Sequence, residues 1–373
     1  MKTTTGAAAA LLATTTLAHA GGIERANQSV GFLFEQGGYT EFSISRVSPK
    51  VSGEVVAGAP GPFAGAAGAG SGDMTGGYTS VGLAVKWDMS ERLSFGIQYE
   101  QPYGADVSYA MGTGYPYAGS NADLNVDEIK VLAKYKLDEN WSVYGGLRFQ
   151  NVGGNVDVVV PALSLDYSLS VERSTELGYL VGVAYEKPEI AMRIALTYNS
   201  AITHKFNATE FGGASTEFET EFPQSINLEA QSGIAEGTLV LASIRWVNWS
   251  AFDISPTAYG SLPGNPSLVD YENDVITYTV GVARRFTDNF AGIATISYEK
   301  SEGGFVGNLG PTDGRTSIGL AGRYDVGNAT ITGGVNYSWL GDAETEAPVF
   351  GGTLSEFKDN TALAVGLRIG YHF

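Results

Sequence analysis

The chain has 373 residues, 43% of them hydrophobic, with 22 Lys plus Arg against 40 Asp plus Glu and a formal net charge of −18. That acidity excludes nucleic acid as a partner, since a polyanion is held by clustered Lys and Arg. Cysteine is absent, so there are neither disulfides nor thiolate metal sites.

Residues 1–20 read as a signal peptide. Lys2 supplies the positive n-region, Gly6 to Ala13 the apolar h-region, and Ala18-His19-Ala20 an A-x-A cleavage site. Export through the secretory pathway is the expectation. Residues 21–37 have no strong periodicity and are expected to form a short N-terminal plug. No later run is apolar for long enough to cross a bilayer as a helix.

From residue 38 to 373 apolar residues alternate with small or polar ones, the period of a β-strand with two unlike faces. Expected strands span 38–57, 76–87, 92–110, 123–137, 141–156, 173–186, 190–210, 218–234, 238–254, 271–286, 290–302, 314–325, 329–341 and 356–373. Short turns such as Asp88-Met89-Ser90-Glu91 and Asp138-Glu139-Asn140 alternate with long connections such as Gly112 to Ala122 and Ser255 to Leu268. Tight periplasmic turns and long outer loops give a transmembrane barrel that rhythm, and 50 glycines with 20 Tyr and 17 Phe suit its crowded wall and aromatic girdles. The expected fold is therefore all-β: a 14-stranded antiparallel outer-membrane barrel over residues 38–373. A soluble sandwich or solenoid would alternate too, but needs no strict loop asymmetry. The Gly, Ala and Pro of the first long loop, Gly58 to Gly72, predict mobility.

Face assignment turns Val81, Leu83, Val85 and Trp87 to lipid, with Ile194, Leu196 and Tyr198, and Val335, Tyr337 and Trp339. The opposite, lumen-facing positions hold Lys86, Lys130, Lys134, Arg148, Arg193, Arg245, Arg285, Arg323 and Arg368. Two readings stand for these cations. They pair with lumen acids such as Glu100, Glu128 and Glu299, or they guide an anionic head group, for which Lys130, Arg148, Arg193, Arg245, Arg323 and Arg368 are the candidates. Gln101-Pro102-Tyr103-Gly104 interrupts the third strand, because proline donates no ladder hydrogen bond and glycine bends easily. The result is either an ordinary bulge or a break in the wall. Phe32, Leu33 and Phe34 are apolar enough to wedge into the lumen as a stopper.

Enzymatic chemistry is not expected. The histidines that survive processing, His204 and His372, fall toward opposite rims, and no P-loop, metal-ligand spacing or cofactor motif is present.

The last strand, TALAVGLRIGYHF, places Leu363, Val365, Leu367, Ile369, Tyr371 and Phe373 on one face. It resembles the terminal strand by which the barrel-assembly machinery recognises outer-membrane proteins. Further blocks resemble the FadL family of outer-membrane transporters for long-chain fatty acids and other hydrophobic compounds. They are Glu41-Phe42-Ser43 with Val47 to Gly53, Tyr103-Gly104-Ala105-Asp106, Asn140-Trp141-Ser142-Val143, Phe222-Pro223-Gln224-Ser225, Trp246 to Phe252, and Arg285 to Asn289. The resemblance implies a monomeric barrel with its N-terminal segment folded inward as a hatch. It also implies a hydrophobic ligand, a fatty acid or detergent-like lipid, bound among the outer loops and in the lumen. That ligand would leave sideways, without energy input, at a third-strand kink, here Pro102, Tyr103 and Gly104. The surroundings implied are outer-membrane lipid and lipopolysaccharide. The plug departs from the family pattern, being short and lacking an Asn-Pro-Ala motif. The alternative function is a general diffusion porin for small polar solutes, with opposed charges at a constriction.

Overall fold

A computed structural model describes residues 23–373. The expected signal peptide and the first two residues of the expected plug lie outside the described residues. One sheet of eighteen hydrogen-bonded segments forms the wall, and four of its strands are each interrupted once, which makes fourteen strands.

In chain order they are β1 (Tyr39–Lys50), β2 (Tyr78–Asp88), β3 (Leu93–Glu100 and Gly104–Ser108), β4 (Asn121–Lys136) and β5 (Trp141–Val160). Next come β6 (Leu165–Val171 and Ser174–Lys187), β7 (Met192–Asn199 and Ile202–Glu210), β8 (Ala214–Phe222 and Ser225–Ala235) and β9 (Thr238–Val247). The last five are β10 (Val275–Arg285), β11 (Phe290–Glu299), β12 (Arg315–Val326), β13 (Ala329–Leu340) and β14 (Thr361–His372). All pairings in this sheet are antiparallel. β14 closes the barrel on β1, from Tyr39 opposite His372 to Lys50 opposite Thr361. No described helix is long and apolar enough to cross a membrane; the chain crosses with strands.

Alternation decides which way each strand faces. On β5, Trp141, Val143, Leu147 and Phe149 are exposed, while Ser142, Tyr144, Arg148 and Gln150 between them are buried inside. Asn151 ends the outward apolar row. At about 3.3 Å per residue and a tilt of about 40°, Trp141 to Phe149 spans about 20 Å, close to the apolar band of such barrels. Outward exposure of Leu83, Ile194, Leu196, Val335, Tyr337 and Trp339 agrees with the faces read from sequence.

The short connections are built for reversal. Asp138 accepts hydrogen bonds from the backbone N–H groups of Asn140 at 2.8 Å and Trp141 at 2.7 Å, and those donors hold its carboxyl below the usual range. Between β12 and β13 the two-residue turn has Gly327 at φ +58°, the sign that tight hairpins need.

At the other end the long loops fold over the barrel. Gly53–Val55, Phe305–Val306, Ala343–Glu346 and Thr353–Phe357 form a small separate sheet. Residues 51–57 alternate like a barrel strand, yet Gly53–Val55 pairs with Phe357–Ser355 in this cap, so β1 ends at Lys50 rather than at 57. The first long loop is anchored in the structure. Its 3-10 turn Gly61–Ala66 buries Phe63 edge-on to Phe350 at 6.2 Å. Phe63, Tyr115, Trp249, Phe252, Leu354 and Phe357 share one buried apolar cluster with Tyr103 of the wall.

Candidate functional site

Burying a cation is tolerable only when its charge and donors are satisfied, and the inner wall shows this. Lys130 Nζ lies 2.5 Å from Glu100 and 3.7 Å from Glu128. Arg148 grips Glu128 with two donors, Nε at 3.1 Å and Nη2 at 2.9 Å, and donates a third bond to Ser200 O at 2.9 Å. Arg245 Nε donates to Glu24 at 2.8 Å. Arg323 lies 2.9 Å from Asp325, and Arg368 3.9 Å from Glu41. Arg193 sits over the Phe34 ring, 4.6 Å from its centroid. All six head-group candidates from the sequence therefore line the lumen, each engaged with the protein itself. Arg285 is instead exposed at the turn end of β10.

His204 is fully buried in the wall. Its Nε2 lies 3.1 Å from Gln150 Oε1 and its Nδ1 3.2 Å from Ser174 Oγ, while Gln150 donates to Glu128 at 2.9 Å. His204 thus lies between the Ser174 hydroxyl and the Gln150 amide. His372 is at the opposite end, with Nε2 3.6 Å from Glu35 and Nδ1 3.1 Å from Gln36 O.

Residues 23–36 run along the inside of the barrel. Phe32 and Leu33 are buried with Tyr39, Leu132, Tyr144, Leu180 and Ala195, and Phe34 meets Tyr144 edge-on at 5.6 Å. Farther up, Ser29 Oγ donates to Glu229 at 2.7 Å, and Asn227 Nδ2 to Asn27 O at 3.0 Å. Gln28 Nε2 donates to Tyr103 Oη at 2.8 Å and accepts from Arg148 at 3.2 Å. Burial pushes the Glu35 carboxyl up to about 7, against the pull of Arg323 and Arg193.

The top of this segment meets the break in β3. The strand stops at Glu100 and resumes at Gly104. Across the gap, Arg25 N donates to Pro102 O and Gly104 N to Ile23 O, both at 2.8 Å. Tyr103 turns inward, edge-on to Trp249 at 5.9 Å. Pairing between β2 and β3 covers only Leu83–Asp88 with Ser94–Tyr99. Above it, Tyr78–Gly82 keep their β1 partners but have no β3 ladder; Val81 N donates instead to the Gln101 side chain at 3.1 Å. Thr75 bridges to Val107 overhead. The ladder between β2 and β3 thus lapses along 78–82, beside 101–107 and 74–77.

Beside that lapse lies a cavity of about 200 Å³, lined chiefly by apolar side chains including Val51, Met74, Val107, Phe206, Phe222 and Leu340. A smaller, more polar cavity of about 80 Å³ lies against residues 25–32 and the inner faces of β1 to β3. Arg25 borders both. Its guanidinium stacks over the Tyr78 ring, 4.1 Å from the centroid, and a Cβ at Gly104 would sit 2.5 Å from Arg25 Cζ. Arg25, Glu24 and Gln28 escaped the sequence reading, because a segment without periodicity carries no signal for where it threads, and Tyr78 escaped with Arg25, the group it meets.

Comparison with known proteins supplies the lineage. The model of a family described as outer membrane protein transport protein (OMPP1/FadL/TodX) matches residues 45–304. No curated protein sequence matches this chain. Among solved structures, a Pseudomonas aeruginosa FadL homologue is similar at a TM-score of 0.73, with 14% identity over 92% of each chain. The Pseudomonas putida toluene transporter TodX gives 0.63, with 14% identity over 91% of this chain and 90% of that one. The Ralstonia pickettii toluene transporter TbuX gives 0.62, with 13% identity over 90% of each. At such identities these likenesses concern the fold, a closed barrel of fourteen antiparallel strands. With the family model spanning more than half its length, the chain belongs to the OMPP1/FadL/TodX family of outer-membrane transport proteins.

Proposed function

We propose that this barrel carries hydrophobic molecules passively across the outer membrane, long-chain fatty acids or aromatic hydrocarbons, and releases them sideways through the wall at Pro102, Tyr103 and Gly104. One observation carries the reading: the β2–β3 ladder lapses beside an apolar cavity. Each CH₂ moved from water into such a cavity contributes about 0.8 kcal/mol, so capture needs no energy source. Residues 23–36 serve as the plug in this reading, with Phe32, Leu33 and Phe34 as its stopper at the periplasmic side. The relatives whose names specify toluene favour apolar cargo, and the engaged state of the lumen cations disfavours an open polar constriction.

Replacing Pro102 and Gly104 by Val favours a continuous third strand. Uptake of a radiolabelled long-chain fatty acid or of toluene by cells carrying the variant is expected to be abolished. Unchanged uptake with a correctly folded barrel would reject the lateral exit. Large steady ion currents through the wild-type protein in planar bilayers would favour the porin reading instead.

A further inference from the structure

The exposed cations toward the outer end of the barrel fall into two groups. Arg173 is held by Asp127 at 3.1 Å, Lys205 by Glu219 at 3.0 Å, Lys300 by Glu302 at 2.7 Å, and Lys358 by Glu356. Arg46 and Lys50 of β1 are exposed and form no ion pair among the described residues. Asp73 and Asp106 stand near, but Asp73 accepts from Val51 N at 3.1 Å and Thr75 Oγ1 at 2.8 Å, and Asp106 lies against Gly76. The period of two puts Arg46 and Lys50 on the lipid-facing side with Phe42 and Ile44, while Ser45 and Val47 between them are buried. At about 3.3 Å per residue and a tilt of about 40°, Arg46 stands about 10 Å and Lys50 about 20 Å above Phe42. Lys50 is opposite Thr361, which is opposite Trp339, and an outward Trp marks the head-group level. Arg46 leans the same way. Its Nη1 donates to Thr79 Oγ1 at 3.4 Å, and a Cβ at Gly77, two residues farther out, would sit 2.5 Å from its Nη2. A long cation below the interface reaches up in this manner to place its charge among head groups.

Below Arg46 the outer surface of the wall is hollowed. A groove of about 1070 Å³ runs from Arg46 and Ile44 past Leu367, Val335 and Leu320 to Ala294. Its floor is recessed because Gly333, Gly322 and Gly292 stand directly opposite one another on β13, β12 and β11. From β1 to β11 it crosses four inter-strand spacings of about 4.8 Å, about 19 Å in all, room for an extended acyl chain. We propose that this face is a docking site for the lipopolysaccharide of the outer leaflet, with a lipid A phosphate on Arg46 and Lys50 and an acyl chain in the groove. Phosphate oxygens accept charge-assisted bonds from both side chains. Position selects the occupant. The free cations are at the outer end, where phosphorylated glycolipid forms the leaflet. A periplasmic-leaflet phospholipid would put its head on Arg284 at the other end of the groove, and Arg284 already donates to Glu236 O at 3.1 Å. The site rests on the outer-membrane setting and not on the cargo. It also sets the glycolipid beside the lapse of the β2–β3 ladder, since Arg46 is opposite Thr79 in register.

The test is native mass spectrometry of the full barrel in detergent, titrated with bis-phosphorylated lipid A, with the same lipid after removal of both phosphates, or with phosphatidylglycerol. Wild type is expected to bind the phosphorylated form about ten-fold or more tighter than the dephosphorylated one, the range of charge-assisted hydrogen bonds. Arg46→Gln together with Lys50→Gln should bring that ratio near one, and Arg46→Lys alone should keep most of it. Lys205→Gln, which breaks an exposed pair elsewhere on the wall, should behave as wild type. Gly333→Leu, at a position where a side chain has room, fills the groove and should weaken both forms of the lipid alike. Heat-modifiable migration on gels confirms that each variant is a folded barrel. Equal affinity of wild type for the two forms overturns the proposal, as does a ratio unchanged in the double variant. Phosphatidylglycerol binding as tightly as lipid A, and lost in Arg284→Gln, would assign the groove to a phospholipid and overturn it too. Uptake of hydrophobic cargo is a separate measurement, so either reading can fail without the other.

Discussion

At the scale of single residues, Glu128 holds the inner wall together. Its two oxygens take Arg148, Lys130 and Gln150 at once, and all of these groups are buried. Glu128→Gln keeps the shape but removes the anion, leaving two buried cations with a neutral neighbour. Loss of about 3 kcal/mol of stability is expected, read as a lower urea midpoint for the folded barrel. Lys205→Ala breaks the 3.0 Å pair with Glu219 on the exposed outer end of β7, and no measurable change should follow, because water already screens that pair. The period of two placed the lumen lysines and arginines on the inner face, with Arg285 the exception. It left open whether the lumen row pairs internally or waits for a ligand, since the deciding acids lie on other strands: Glu128 is twenty positions from Arg148, and Glu24 is 221 from Arg245. Arg25 was missed for the same reason: the residues around it, Tyr78, Asp106 and Asp123, come from other strands.

At the scale of elements, the N-terminal segment is the part of the molecule with a built-in dependence on pH. Glu35 is enclosed by Arg323, Arg193, Arg368, Glu41 and His372. Burial raises its carboxyl from an ordinary 4.5 to about 7. The seated segment therefore holds a proton that the released one gives up between those values, so seating is firmest at low pH and weakens as pH rises toward 7. Trypsin cleavage after Arg25 reports release. Wild type and Glu35→Gln should be cut at the same rate near about pH 5, and wild type faster near about pH 8; comparing the two cancels the protease's own pH response. Equal rates at both values would show that Glu35 does not govern the seat. Among the elements, strand number and orientation were legible because each strand crosses once and shows two faces. Strand ends were less so. The sixth strand starts at Leu165, not 173, and the ninth stops at Val247, not 254, because above the apolar band both faces become polar or join the loop cap and alternation loses its meaning. The third-strand interruption was visible in Gln101-Pro102-Tyr103-Gly104; that β2 would lose its partner there was not.

At the scale of the whole molecule, three layers with different chemistry follow from one alternating pattern. Outside is an apolar band, inside a polar lattice of paired charges, and over the outer end a lid of aromatic loops. The lumen is occupied at two levels: Phe32 and Leu33 are buried among wall residues toward the periplasm, and Gln28 bridges Arg148 to Tyr103 above them. A water-filled channel needs that column of residues removed, whereas the proposed lateral route leaves it in place and uses the lapse of the β2–β3 ladder. The two routes have different signatures. Wild type in a planar bilayer should pass little steady current, while deletion of residues 21–36 should give stable conductance steps, because it empties the lumen without touching the fourteen-strand wall. High conductance in the intact protein would instead mean that the segment does not seal the lumen, and that solute selection rests with the loop lid alone.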